Sequence, residues 1–179
     1  MTAFVALLRG VNVGKAKRVP MAEWRAQLEA LGYGEVATLL NSGNAVFSSK
    51  GGTSAKHAAA IATALERGFG FSAAVVVKSA AEFAAIAAGN PYRNAPDHSR
   101  LLVAFTPDAG SLAALAALAP LSRPPDEFAV GAHAAYLHCV GGILESRLAS
   151  AILGRAGASA TTRNWATTLK LQALLDPRR

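Results

Sequence analysis

The stretch EVATLLNSGNAVFSS, residues 35–49, decides the fold predicted for this chain. Residues 35–40 read as a strand, residues 41–44 as a tight turn, and residues 45–49 as the returning strand. The turn carries Gly43, the residue type that adopts the positive φ that short hairpin connections require. The stretch therefore predicts a β-hairpin whose connection, Asn41 to Asn44, is polar.

The segments on either side of the hairpin complete a recognisable order. The apolar run 3–8 predicts a buried strand, and a helix follows from Pro20, with Met21, Trp24, Leu28 and Leu31 at helical spacing until Gly32. After the hairpin, Ser54 is positioned to cap a helix that runs through Phe69, and residues 71–78 form another strand. The order β-α-β-β-α-β within about eighty residues is that of a ferredoxin-like domain.

The rest of the chain predicts the same order again. Ser79 and Glu82 form a capping-box pattern at the start of a connecting helix. Strands are expected at residues 101–105, 127–130, 134–140 and 158–162, helices at 111–119 and 144–153, and a last helix from Asn164 or Trp165 to Leu175. We therefore predict an α+β protein of two ferredoxin-like halves packed together, residues 1–79 and 99–179. Residues 80–98 form the connecting helix and loop, and the second half ends in a C-terminal helix.

Composition limits the classes of function. Apolar residues make up 52% of the chain and charged residues 16%, so a folded core is expected. The net charge of +7 favours phosphate-bearing partners, although a solvated basic surface is an equal alternative. Cys139 is the sole cysteine, so no internal disulfide is expected. With neither a signal peptide nor a run of apolar residues long enough to span a bilayer, we expect a soluble cytoplasmic protein without a membrane partner.

Polar residues gather first in the segment Arg9-Gly10-Val11-Asn12-Val13-Gly14-Lys15. A P-loop needs four residues between its glycines and Ser or Thr after the Lys. Here three residues separate the glycines and Ala16 follows Lys15, so the segment departs from the P-loop pattern. A looser nest of backbone N–H groups, aided by Arg9, Lys15 and Lys17, remains open beside an ordinary glycine turn.

Two further polar segments are candidates. Ser42 and Asn44 either point into a cleft or satisfy the backbone of their own turn. In the segment Thr162-Arg163-Asn164, Thr162 or Asn164 is expected to cap the last helix, and Arg163 with the N–H groups of that helix start could also seat an anion. Arg9 leaves the first strand at the edge where Asn44 begins the third, so the two residues are expected at one end of a sheet.

Other chemistries lack support in the residue pattern. The four histidines show no metal-ligand spacing and no carboxylate pair stands out, so we predict neither a metal nor a cofactor. RNA-recognition domains share the β-α-β-β-α-β order and stack bases on strand aromatics, positions that Phe4 and Phe47 would occupy. Their aromatic signature is missing, and core packing of both rings is the favoured interpretation.

Several of these motifs together resemble one family. Residues 7–14 (LLRGVNVG), Ser42-Gly43-Asn44 followed by Phe47, Asn90-Pro91, and Thr162-Arg163-Asn164-Trp165 with Thr168 are similar to the bacterial family called domain of unknown function 1697. Val11 and the stretch Lys15-Ala16-Lys17 depart from the family pattern. The resemblance implies a compact protein of two ferredoxin-like halves and no established activity.

The function expected from these observations is binding of a phosphate-bearing or other anionic ligand in a cleft lined by Arg9, Asn44 and Arg163. Further contacts are expected from Asn12, Lys15, Ser42 and Asn164. Two alternatives stay open: a nucleic-acid-binding module that uses the basic surface, and an enzyme acting on a small nucleotide-like or phosphorylated substrate.

Overall fold

The computed structural model describes residues 1–176, which contain two four-stranded sheets and six α-helices. The chain divides into two compact units. The first comprises Met1–Phe83 and the chain from Leu171 onward, and the second comprises Ala84–Lys170.

The first unit carries one sheet and two helices on the β-α-β-β-α-β plan. The strands are β1 (Thr2–Leu8), β2 (Gly34–Leu39), β3 (Asn44–Ser49) and β4 (Val75–Ser79), and the helices are α1 (Met21–Ala30) and α2 (Ser54–Phe69). The strand order is β2-β3-β1-β4 with antiparallel neighbours throughout. Phe4 pairs with Phe47, and Leu7 pairs with Asn44.

The core of the first unit lies between this sheet and its two helices. Alternate strand residues such as Phe4, Leu8 and Phe47 pack with residues at helical spacing, Trp24 and Leu28 on α1 and Ile61 and Leu65 on α2. Trp24, one of the residues at helical spacing in the sequence, is fully buried. The expected cap of α2 is wrong by one residue: the Thr53 hydroxyl accepts from the Lys56 N–H, whereas the Ser54 hydroxyl donates to Glu82.

The second unit repeats the strand order. Its strands are β5 (Leu101–Phe105), β6 (Glu127–Val130), β7 (Ala134–His138) and β8 (Thr161–Asn164), in the order β6-β7-β5-β8. The helices in the second half of the chain are α3 (Ala80–Ala88), α4 (Ala109–Ala116), α5 (Arg147–Leu153) and α6 (Trp165–Leu174), of which α3 begins and α6 ends in the first unit. Leu102, Leu115, Leu137, Leu148 and Ile152 form the centre of its core.

The predicted α+β architecture with two similar ferredoxin-like halves is therefore confirmed. The capping box at the start of α3 is confirmed too, since the Ser79 N–H donates to Glu82 Oε2 at 2.7 Å and the Glu82 N–H to Ser79 Oγ at 3.2 Å. The last strand is displaced from its expected bounds, 158–162, so that Arg163 and Asn164 belong to β8. In the described part of the chain, no helix combines the length and the apolar character needed to cross a membrane.

Candidate functional site

The connection from β1 to α1, residues 9–20, is a loop with an exposed middle and a buried residue near each end. Val11 and Val19 are buried in the core of the first unit, whereas every residue from Val13 to Arg18 is exposed. Three of those six exposed residues are basic: Lys15, Lys17 and Arg18. We call residues 13–18 the basic loop.

Asn12 fixes the conformation of this connection. Its Nδ2 donates to the carbonyl oxygens of Val19 at 2.8 Å and of Asn41 at 2.6 Å, and its Oδ1 accepts from the Val19 N–H at 2.8 Å. The Asn12 N–H also donates to the Lys17 carbonyl. One amide therefore closes the basic loop and ties it to the hairpin turn between β2 and β3.

The φ angles of the connection alternate in sign. Gly10, Asn12 and Gly14 have φ values of 65°, 56° and 68°, whereas Val11 and Val13 between them stay at negative φ. Asn12 and Lys17 (φ 50°) adopt this left-handed region without being glycine, which costs conformational free energy. Alternation in the sign of φ over successive residues is one feature of the backbone concavities that bind anions.

The donors of the basic loop are open to solvent. Among the described residues, no acceptor is bonded to the backbone N–H groups of Val13, Gly14 or Lys15. Arg18 Nη1 donates to the Gly14 carbonyl at 3.3 Å, which holds its guanidinium over the loop. Arg9 lies where β1 ends, with its N–H bonded to the Ala74 carbonyl, and partial burial lowers the pKa of its guanidinium.

Ser42 and Asn44 lie at the same end of the sheet as Arg9, because Leu7 of β1 pairs with Asn44. Asn44 is fully buried, and its Nδ2 donates to the Leu39 carbonyl and to Ser42 Oγ, both at 2.9 Å. These contacts satisfy the turn backbone, the alternative that the sequence left open. Ser42 and Asn44 thus stabilise the hairpin turn to which Asn12 ties the basic loop.

Arg163 and Asn164 belong to the second unit. Arg163 is 8% exposed, and its Nη1 donates to Thr161 Oγ1 at 2.8 Å and to the Thr162 carbonyl at 2.7 Å. Burial lowers the pKa of Arg163 to about 10. Asn164 Oδ1 accepts from the Thr167 N–H, so Asn164 rather than Thr162 caps α6, and Trp165 is buried at 4% exposure.

The aromatic rings and the cysteine singled out in the sequence are buried. Phe4 and Phe47 stack at 5.5 Å in the core, where neither ring is open to a base. Burial raises the pKa of the Cys139 thiol to about 11, a value typical of an inert thiol. No group of three or more His, Cys, Asp and Glu side chains comes together within residues 1–176.

The sequence missed two features of the site. The Asn12 side chain bonds to residues seven and twenty-nine positions away, which the residue pattern alone does not reveal. Arg18 joins Lys15 and Lys17 in the exposed loop. The absence of any acid in the first twenty residues was the signal that pointed to this end of the chain.

Comparisons with known proteins bear on the fold and on the family. No curated protein matches the chain. Among solved structures, a conserved bacterial protein, SP0830 from Streptococcus pneumoniae, is similar, with a TM-score of 0.82 and 22% identity over 98% of this chain and 99% of that one. At this identity the similarity concerns the fold alone.

The family model described as "Protein of unknown function (DUF1697)" matches residues 1–136, which include β1, the basic loop and the hairpin turn. The match extends over most of the chain and includes the first three of the motifs that resemble the family, but not the one at residues 162–168. The chain belongs to the DUF1697 family of proteins of unknown function.

Proposed function

We propose that this protein binds a phosphate-bearing or other anionic ligand at the basic loop, with Arg9 at its base. The observation that carries the proposal is the alternation of φ from Gly10 to Gly14. Backbone N–H groups arranged in this way bind anions without any specific side chain.

Open donors and charge support the same conclusion. The N–H groups of Val13, Gly14 and Lys15 have no acceptor in the described chain, so an anion would replace water rather than break internal hydrogen bonds. Lys15, Lys17 and Arg18 add positive charge where the sequence has no acid. Arg9 is partly dehydrated, and a guanidinium in such surroundings interacts more strongly with a phosphate than one in water.

Rigidity also favours binding. Asn12 ties the loop to Val19 and to Asn41, and the side chains of Val11 and Val19 are anchored in the core. A loop held in its binding conformation loses little entropy when the ligand arrives. In this proposal Asn12, Ser42 and Asn44 position the loop, and Arg9, Lys15 and the backbone make the contacts.

Arg163 and Asn164 belong to the second unit, and the ligand contacts expected from them remain separate predictions.

We further propose that the protein works in the bacterial cytoplasm. The reduced, buried Cys139 is compatible with that compartment. The proposal concerns binding, and the enzymatic alternative would require reactive groups in addition to the loop.

The experiment is an NMR titration with inorganic phosphate and with adenosine monophosphate, following the backbone amides of residues 10–18. We expect saturable shifts at Val13, Gly14 and Lys15. The double variant Lys15→Gln/Lys17→Gln should weaken binding about fivefold, the size expected for two solvent-exposed charge-assisted contacts.

The matched control is Lys50→Gln/Lys56→Gln, which removes the same charge from exposed positions elsewhere in the first unit. It should change the affinity less than about twofold, since distant surface charges are screened. Equal losses in the two double variants would mean that net charge, not the loop, attracts the anion. Shifts spread over the whole surface would contradict the proposal in the same way.

A further inference from the structure

Two aliphatic side chains are exposed beside the proposed anion site. Val13 is 74% exposed and Leu40 is 52% exposed, and neither belongs to the core of the first unit. In the described part of that unit the exposed large apolar side chains are Met1, Val13, Leu31 and Leu40. One such side chain is ordinary on a protein surface, whereas two at one place indicate an interaction.

A hydrogen bond of Asn12 brings Val13 and Leu40 to the same place. Val13 follows Asn12, and Leu40 precedes Asn41, whose carbonyl oxygen accepts from Asn12 Nδ2 at 2.6 Å. Each aliphatic residue is therefore the chain neighbour of one partner in this bond, and consecutive Cα atoms are only about 3.8 Å apart. Val13 also provides one of the open N–H groups of the basic loop, so its side chain starts next to a proposed donor.

Leu40 has a backbone conformation that a leucine disfavours. Its φ is 57°, in the left-handed region, where a bulky residue is an outlier and costs free energy. Burial does not offset this cost, because the side chain stays exposed. A strained residue that gives nothing to the core is a reason to infer a role in binding.

The segments around Val13 and Leu40 carry positive charge and no acid. Residues 9–22 hold four basic side chains and no acidic one, and residues 38–45, which include the hairpin turn, hold no charged residue. An anion at the basic loop therefore meets no carboxylate from either segment. An aliphatic surface that adjoins a cationic one fits a ligand with the same two parts, an anionic group joined to an apolar body.

We infer that the ligand of the basic loop is a soluble phosphate monoester of an apolar alcohol or phenol. Its phosphate oxygens accept from the N–H groups of Val13, Gly14 and Lys15, and its apolar group lies against the side chains of Val13 and Leu40. This inference rests on the anion site proposed above and adds the chemical class of the ligand.

A membrane lipid presents the same chemistry, a phosphate joined to an apolar body. Two aliphatic side chains form a small apolar surface, whereas stable attachment to a bilayer needs a larger one or a second anchor. We therefore expect that the protein does not sediment with phosphatidylcholine vesicles, with or without phosphatidic acid. Sedimentation that depends on phosphatidic acid would overturn the assignment to a soluble ester.

The main test compares phenyl phosphate with methyl phosphate, two monoesters that are both dianions at pH 8. In an NMR titration both should shift the amides of Val13, Gly14 and Lys15, and phenyl phosphate should also shift that of Leu40. Phenyl phosphate should bind about fivefold more tightly, the ratio expected when about 40 Å² of apolar surface leaves water. Equal affinities would overturn the ligand class and leave the anion site standing. No saturable shift with either ester would contradict the anion site itself.

Leu40→Asn separates a contact with the ligand from a role in the fold. Asn adopts a positive φ more readily than Leu, so the thermal midpoint should stay unchanged or rise, while the preference for phenyl phosphate should fall to about twofold or less. The control Leu31→Asn removes another exposed leucine of the first unit, at a φ of −74°, and should leave the preference unchanged. A preference that survives in Leu40→Asn, or that falls equally in both variants, would overturn the inference.

Discussion

At the scale of single residues, Gly43 shows how one position meets two requirements. Its φ of 81° confirms the positive value expected from the length of the hairpin turn. A Cβ on Gly43 would also lie 2.6 Å from Leu8 Cβ and 2.9 Å from Val11 Cγ2. The turn therefore needs glycine for its backbone conformation and for the close approach of β1 and the loop that follows.

We predict that Gly43→Ala destabilises the protein by about 2–4 kcal/mol, the sum of the backbone cost and an overpacking cost. The matched control is Gly70→Ala at the end of α2, where φ is 76° but a Cβ would meet nothing within 4 Å. That variant should cost only the backbone share, about 1 kcal/mol. Urea unfolding of both variants measures the difference, and equal losses would show that the contact with Leu8 relaxes freely.

Asn12 and Asn44 show which properties of single residues the sequence alone does not predict. The pattern predicted correctly that Asn12 and Asn44 lie near the end of β1, but not what their amides bond to. Asn12 bonds to the carbonyls of Val19 and Asn41, which come together only after the chain has folded.

At the scale of elements, the strand and helix order follows from the sequence, and the differences lie at element ends. The α5 helix begins at Arg147 rather than Leu144, because the Ser146 hydroxyl accepts from the Ala149 N–H and caps it there. The β8 strand continues to Asn164 because its pairing with Leu102 persists to that point. Local propensity does not fix such ends, since capping and strand pairing depend on neighbours distant in the chain.

The α2 helix carries a histidine on its buried face. His57 is 6% exposed, its Nδ1 lies 2.9 Å from the Tyr33 hydroxyl, and its ring meets Phe4 edge-on at 4.6 Å. Burial lowers the pKa of His57, and a hydrogen bond to the Gly51 backbone only partly opposes this effect. The folded state thus favours the neutral ring, while the unfolded chain binds a proton near pH 6.5.

We therefore expect the free energy of unfolding to be undiminished above about pH 6.5 and to decrease as the pH falls toward the lowered pKa of His57. Each unit of separation between the folded and unfolded pKa contributes about 1.4 kcal/mol to that loss. Urea unfolding at pH 7.5 and pH 5 measures it. His57→Phe should flatten the dependence, and His133→Gln, at an exposed histidine, should not. If the free energy of unfolding falls equally between pH 7.5 and pH 5 in wild type and in His57→Phe, other groups cause the pH dependence.

At the scale of the whole molecule, the β-α-β-β-α-β order occurs twice, although the two halves show no visible sequence repeat. Lys78 pairs with Val5 in the first sheet and Arg163 with Val103 in the second, and both basic residues are buried. Each stands immediately before a residue that caps the next helix, Ser79 or Asn164. Topology and the pattern of buried positions are shared between the halves, so hydrophobic periodicity reveals the repeat where residue identity does not.

The net charge of +7 leaves a nucleic-acid-binding module as the rival of the anion-binding loop. Phe4 and Phe47, the rings that would stack on bases, lie in the core of the first unit. Binding to an oligonucleotide would then rest on charge alone, which gives a steep salt dependence and little preference for sequence.

We predict that a fluorescent twenty-nucleotide single strand binds this protein with a dissociation constant above about 1 μM at physiological salt, within the range of non-specific binding. Because polymer binding of this kind depends on total charge, Lys15→Gln/Lys17→Gln and Lys50→Gln/Lys56→Gln should weaken it equally, although only the first pair should weaken phosphate binding. Fluorescence anisotropy at several salt concentrations measures both effects. Submicromolar binding that resists salt and discriminates between sequences would instead identify a nucleic-acid module, and the basic loop would then be part of its interface.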